Sequence, residues 1–99
     1  MKYLTFDLSD STDGITTLEA SASTNAAQHA AVLAEAQQVL DWAWRRFPHS
    51  HGPVDEGLDW DHDLQVSIED GDWHAVTLTL TASQHFVDAF FAAFGEPQD

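Results

Sequence analysis

The chain has 99 residues, 43% of them hydrophobic, and its 17 acidic residues against three basic ones give a formal net charge of −14. Three basic side chains are too few to neutralise a phosphate backbone, which excludes binding to nucleic acids and to anionic membranes. The absence of cysteine excludes disulfides, thiolate catalysis and zinc–thiolate sites. No apolar run is long enough for a membrane span or a signal peptide, so the sequence predicts a cytoplasmic protein.

The first elements in chain order are two predicted strands, at residues 2–8 and 15–22. Apolar and polar side chains alternate in both, as they do in strands with one buried face. Residues 9–14 between them are rich in Ser, Asp and Gly, which is typical of a turn. Pairing Phe6 with Leu18 keeps the apolar faces of the two strands together, so we predict a hairpin with this register.

A long helix is predicted next, beginning after Asn25, whose side chain suits an N-cap, and ending near Phe47, before Pro48. At 100° per residue, apolar side chains recur along one face. That face contains His29, Val32, Leu33, Ala36, Val39, Leu40, Ala43, Trp44 and Phe47. Trp42 falls almost opposite it, and we expect this ring either to pack on a neighbouring loop or to contact another chain.

Residues 58–69 and 73–82 predict a second hairpin, with the cleanest alternation in the chain. A two-residue loop between them would place every apolar side chain opposite a polar one. A three-residue loop at positions 70–72 instead pairs Val66 with Val76. The sequence therefore predicts an odd-numbered loop or a glycine bulge at this turn.

The last predicted element is a helix over residues 84–94, capped by Ser83, ended by Gly95 and prevented from continuing by Pro97. Because the strands alternate, we expect one sheet face to be open to water and the other to be covered by the two amphipathic helices. The sequence therefore predicts a single acidic α+β domain over residues 1–99. Its expected architecture is a two-layer sandwich, in which a four-stranded, mainly antiparallel sheet carries both helices on one face in the order β-β-α-β-β-α.

Possible metal ligands are densest in the segment from residue 49 to residue 63. The candidate ligands are His49, His51, Asp55, Asp59 and Asp61. Imidazole and carboxylate groups together suit zinc, nickel, iron or manganese, but the spacing matches no established motif, and Leu64 replaces the Gly that a calcium loop requires. The alternative interpretation is a solvated acidic strand edge that discourages edge-to-edge pairing. His62 is predicted to lie opposite Leu80, as an imidazole at the edge of the core.

Four aromatic side chains are predicted to lie outside the core and to form an interaction surface. Trp42 lies on the polar side of the first predicted helix, and Phe91 lies on the flank of the second. Tyr3 and Trp73 point to the open face of the predicted sheet. Trp, Tyr and Phe are enriched at protein interfaces, which makes these residues the candidate binding residues.

The leading functional hypothesis is a non-enzymatic interaction module that binds a protein partner or forms a homo-oligomer. A partner with a basic surface is conceivable because the chain is so acidic, although solubility or adaptation to high salt also accounts for the acid excess. The alternative is a divalent-metal-binding protein that uses the His and Asp cluster. A third option is a small enzyme with a pocket between sheet and helices. The sequence contains neither a nucleophile elbow nor a phosphate loop, so we predict no catalytic residues and no cofactor.

Overall fold

The computed structural model describes residues 3–10, 14–69 and 71–95. The elements in chain order are strands β1 (Asp7–Asp10) and β2 (Thr16–Thr24), helix α1 (Ala26–Arg46), a one-turn 3₁₀ helix (Val54–Glu56), strands β3 (Trp60–Glu69) and β4 (Trp73–Ala82), and helix α2 (Gln84–Phe94). The strands form one antiparallel sheet in the order β1-β2-β4-β3. The predicted α+β class and the order β-β-α-β-β-α are therefore confirmed.

The hairpin of β3 and β4 has the register that the sequence predicts. Val66 lies opposite Val76, and the last pair of the ladder is Glu69 with Trp73. Three residues therefore separate the two strands, which confirms the odd-numbered loop. Within this turn, Asp72 adopts the left-handed conformation with a φ of 63°, which Asp tolerates better than most side chains.

The hairpin of β1 and β2 differs from the prediction. Residue 2 of the predicted strand 2–8 lies outside the described residues, and the strand that is described covers Asp7–Asp10. Leu18 lies opposite Leu8 and not opposite Phe6. The predicted register is therefore wrong by two residues. A shift of two leaves each side chain on its original face, because side chains in a strand alternate with a period of two.

Residues 3–6 precede β1 and are held by α1, and they lie outside the ladder that β1 forms with β2. The backbone N–H groups of Tyr3 and Leu4 donate to Oε1 of Glu35, at 2.9 and 3.0 Å. Leu4 and Phe6 are buried nevertheless, and the Phe6 ring packs edge-on against Phe90 with centroids 5.2 Å apart. Alternation identifies the buried side chains here, but it does not distinguish a strand from an extended segment whose donors bond to a carboxylate.

Both helices begin and end where their capping residues predict. Oδ1 of Asn25 accepts a hydrogen bond from the Gln28 N–H at 3.0 Å at the start of α1. Oγ of Ser83 accepts from the Phe86 N–H at 3.3 Å at the start of α2. Gly95 follows the last residue of α2 as predicted. Among the helices that the structure describes, none is both long and apolar enough to cross a membrane.

One hydrophobic core contains side chains of the central strands and of both helices. The buried apolar side chains of β2 and β4 are Leu18, Ala20, Val76, Leu78, Leu80 and Ala82, all at even-numbered positions. They form one cluster with buried side chains of α1 and α2, and Trp60 joins this cluster at the start of β3. After Trp60, the side chains of β3 are not part of the buried core. Those at even-numbered positions nevertheless lie on the same face of the sheet as the core residues of β4.

Candidate functional site

The second half of β3 exposes a row of aliphatic side chains at the edge of the sheet. Leu64, Val66 and Ile68 are 37%, 48% and 72% exposed, although their cross-strand partners on β4 include the fully buried Leu78 and Val76. A row of exposed aliphatic side chains along an edge strand is typical of a surface that binds another chain. We call the stretch from Leu64 to Ile68 the free edge.

Backbone groups of the free edge also point away from the sheet. Trp60 donates its N–H to Ser50 and accepts from the Gly52 N–H, so both of its backbone groups face away from β4. In an antiparallel ladder this orientation recurs at every second residue, and it therefore applies to Leu64 and Val66, as well as to Ile68. Within residues 3–10, 14–69 and 71–95, only the segment next to Trp60 pairs with β3 on this side.

A wide, open depression adjoins the far end of the free edge. Ser23, Ile68, Glu69 and Trp73 line it, and the Ser23 hydroxyl donates to Oε1 of Glu69 at 3.1 Å. The depression lies where β3 meets the turn to β4, so the exposed surface continues from the strand edge onto the end of the hairpin.

Two histidines and one aspartate converge at the opposite end of β3. Nε2 of His51 lies 2.9 Å from Nδ1 of His62 and 3.3 Å from Oδ1 of Asp61. Among the residues that the structure describes, these are the one group of three side chains whose possible metal-ligating atoms all lie within 4.8 Å of one another. We call His51, Asp61 and His62 the histidine cluster.

The local backbone brings His51 to this position. The N–H groups of Asp59 and Trp60 donate to the Ser50 carbonyl, at 2.9 and 3.3 Å, and the Gly52 N–H donates to the Trp60 carbonyl at 2.8 Å. These bonds fix the loop as a short parallel neighbour of β3, with His51 opposite Trp60. The imidazole of His51 therefore reaches the side chains that follow Trp60.

Two tryptophan rings hold the His51 ring in place. The Trp44 ring lies over it with centroids 4.6 Å apart and an angle of 33°, and the Trp60 ring meets it edge-on at 4.5 Å. Trp44 was expected on the buried face of α1, but it is exposed and covers His51. Trp60 is itself anchored, because its indole N–H donates to the buried carbonyl of Phe47 at 3.1 Å.

The electrostatic environment favours the neutral form of His62. Partial burial lowers the pKa of this imidazole below its ordinary value, and the positive charge of a protonated His51 lowers it further. The carboxylates of Asp61 and Asp63 oppose both effects. A neutral imidazole is the form that accepts a hydrogen bond or donates a lone pair to a metal ion.

The predicted metal ligands are only partly brought together. His51 and Asp61 belong to the histidine cluster, whereas His49 and Asp55 are exposed and lie outside it. Asp59 accepts a hydrogen bond from the Ser83 hydroxyl at 2.8 Å. His62 lies opposite Leu80 as predicted. The sequence counted it among the possible ligands of this segment but favoured an imidazole at the edge of the core. Its proximity to His51 depends on the pairing of the loop with Trp60, which leaves no pattern in the sequence.

The four predicted interaction aromatics have different surroundings. Trp42 is half-buried and meets four phenylalanine rings edge-on, which belong to Phe47, Phe86, Phe90 and Phe94. Tyr3 and Phe91 are also half-buried and pack against the core. Trp73 is exposed and borders the depression at the end of the free edge. An interaction role for these residues stays a prediction.

Comparison of the chain with models of protein families, with curated proteins and with solved structures found no match. The function of the chain is therefore inferred from the geometry of β3 and of the loop beside it.

Proposed function

We propose that this protein is a protein-interaction module that self-associates through the free edge of β3, in the cytoplasm as the sequence predicts. The single observation that carries the proposal is the coincidence of exposed aliphatic side chains with outward-facing backbone groups along one strand. Soluble proteins commonly protect such edges with charges, prolines, bulges or covering segments. The free edge has aliphatic side chains at all its even-numbered positions and lacks a covering segment among the described parts of the chain.

A second copy of the chain is the occupant that matches this edge. Antiparallel pairing of two identical strands about a two-fold axis satisfies the backbone groups of both, and every contact is made twice. The two four-stranded sheets would then form one continuous sheet of eight strands. Edge pairing of this kind derives its affinity from main-chain hydrogen bonds and its specificity from alternate side chains.

One register of this pairing fits the free edge best. The loop beside Trp60 occupies the start of the edge, so the far end of the partner strand must stop short of it. Centring the two-fold axis on Val66 meets this condition and places Leu64 opposite Ile68 of the second copy. A centre one residue later would leave Leu64 opposite the turn, with less apolar surface covered.

Charge opposes this association and gives it a recognisable salt dependence. In the register centred on Val66, Asp63 lies opposite Glu69 of the second copy, and each chain carries a formal net charge of −14. Salt screens such repulsion, so self-association strengthens as the ionic strength rises. Binding to a basic partner would weaken under the same change, which separates the two kinds of occupant.

Sedimentation equilibrium tests the proposal with two charge substitutions on the same strand. Val66→Lys places a charge in the apolar row, whereas Gln65→Lys places the same charge on the opposite face of β3. We expect the wild-type chain and Gln65→Lys to reach twice the chain mass of 10.9 kDa, and Val66→Lys to remain at the monomer mass. A wild-type chain that stays monomeric at high salt, or equal dissociation by both variants, would contradict the proposal.

A further inference from the structure

We propose that the histidine cluster is a binding site for a divalent transition metal ion of the zinc class. The donor atoms are Nε2 of His51, Nδ1 of His62 and a carboxylate oxygen of Asp61. This site lies outside the free edge, and the inference is independent of self-association.

The spacing of the donor atoms suits an ion of this class. Zn–N bonds of about 2.0–2.1 Å in tetrahedral geometry place neighbouring ligand atoms about 3.3 Å apart. Nε2 of His51 lies 2.9 Å from the His62 nitrogen and 3.3 Å from the Asp61 oxygen. All three donor atoms lie within 4.8 Å of one another.

The type of donor decides which ions compete. Two imidazoles favour Zn²⁺, Co²⁺, Ni²⁺ and Cu²⁺ over Mg²⁺ and Ca²⁺, which prefer oxygen ligands. Three protein ligands leave a fourth position open, as in zinc sites that bind water or an external group. The His51 and Asp61 side chains are 24% and 43% exposed, so solvent reaches the cluster.

The surroundings hold the ligands in place before an ion binds. The His51 ring lies between Trp44 and Trp60, with centroid distances of 4.6 and 4.5 Å. Oδ1 of Asp61 accepts a hydrogen bond from the His62 backbone N–H at 2.8 Å, which orients the carboxylate toward the cluster. Ligands fixed by packing and hydrogen bonds lose less conformational freedom on binding than ligands on a flexible loop do.

Isothermal titration of the full chain with ZnCl₂ tests the proposal directly. Excess Mg²⁺ is included because it saturates carboxylate sites on this acidic surface without competing for imidazole. We expect one zinc ion per chain. Titration with Cu²⁺ is expected to quench tryptophan fluorescence, because Trp44 and Trp60 both contact the His51 ring.

Matched variants assign the site to individual residues. His51→Ala and Asp61→Asn are each expected to weaken zinc binding at least about tenfold, which is the least that loss of even an outer-shell partner costs. His49→Ala removes an exposed imidazole two residues away and is expected to leave the affinity unchanged. Asp61→Asn keeps the shape of the side chain and its acceptor for the His62 N–H, so it separates ligand loss from misfolding, which circular dichroism checks.

The proposal is overturned by binding that does not saturate at one ion per chain in Mg²⁺, or by an equal loss of affinity in His49→Ala and His51→Ala. The monomeric Val66→Lys variant is expected to bind zinc as tightly as the wild-type chain does. Failure of the self-association proposal would therefore leave this test unaffected.

Discussion

Replacement of Trp60 by Phe tests how the start of β3 is anchored. The indole ring is fully buried, and its N–H donates to the Phe47 carbonyl at the end of α1, at 3.1 Å. Phe keeps an aromatic ring near Phe86, whose centroid lies 5.7 Å from that of Trp60, but it removes the donor. The substitution therefore leaves the buried carbonyl without this partner while it retains most of the apolar contact.

The expected loss of stability has two contributions. An unpaired buried acceptor costs about 1–3 kcal/mol. The smaller ring leaves about 40 Å³ unfilled, and at about 24 cal/mol per Å³ this adds about 1 kcal/mol. We expect Trp60→Phe to lower the free energy of unfolding by about 2–4 kcal/mol, and the melting temperature by at least about 8 °C in a domain of this size.

Urea unfolding followed by circular dichroism measures this loss. The Val66→Lys background is used because it is expected to be monomeric, so that unfolding is not coupled to association. Trp73→Phe is the matched control, because Trp73 is 48% exposed and the same chemical change there is expected to cost less than about 0.5 kcal/mol. If the two substitutions cost the same, the buried hydrogen bond does not anchor β3 and the reasoning is refuted.

Three further outcomes are expected. The dimer dissociation constant is expected to fall when NaCl is raised from 50 to 500 mM, as sedimentation at both salt concentrations would show; a rise would contradict charge repulsion between the two copies. Because the chain has no cysteine, the variants Val66→Cys and Gln38→Cys each contain a single thiol. After oxidation, we expect a disulfide-linked dimer on non-reducing gels for Val66→Cys and not for Gln38→Cys. In EDTA, the melting temperature is expected to be constant above about pH 7 and to fall below pH 6.5. The reason is that the pKa of His62 is lower in the folded chain than in the unfolded chain, so protonation of this imidazole favours unfolding. His62→Asn is expected to flatten that fall.

The sequence was sufficient for the strand faces and for the second hairpin. The apolar side chains of residues 58–69 and 73–82 face one another only if an odd number of residues forms the loop between the strands. This condition places Val66 opposite Val76. The sequence was insufficient for the first hairpin because the competing partner is distant in the chain. Glu35 accepts the N–H groups of Tyr3 and Leu4, and no local pattern reveals a carboxylate that lies more than thirty residues away.

Exposure was harder to predict than orientation. Alternation placed Leu64 and Val66 on the apolar face, where they lie, but the degree of burial depends on what covers that face. Trp42 shows the opposite error, because a helical wheel places it among polar residues while the rings of α2 enclose it. A helical wheel or a strand pattern gives direction only, and the neighbouring elements decide whether that direction leads to solvent.

The two ends of β3 have separate properties because they are protected differently. At its start, the loop beside Trp60 occupies the outer edge, and the Asp61 carboxylate accepts the outward-facing N–H of His62. Val66 lies four residues after His62, which is about 13 Å along the strand at about 3.3 Å per residue, so neither the loop nor the carboxylate reaches it. The start of β3 therefore carries imidazole and carboxylate groups at an edge where another strand cannot pair. The free edge has exposed backbone groups and aliphatic side chains instead. If both proposals hold, one strand carries an ion site and a pairing edge, and a substitution at either end is expected to leave the other intact.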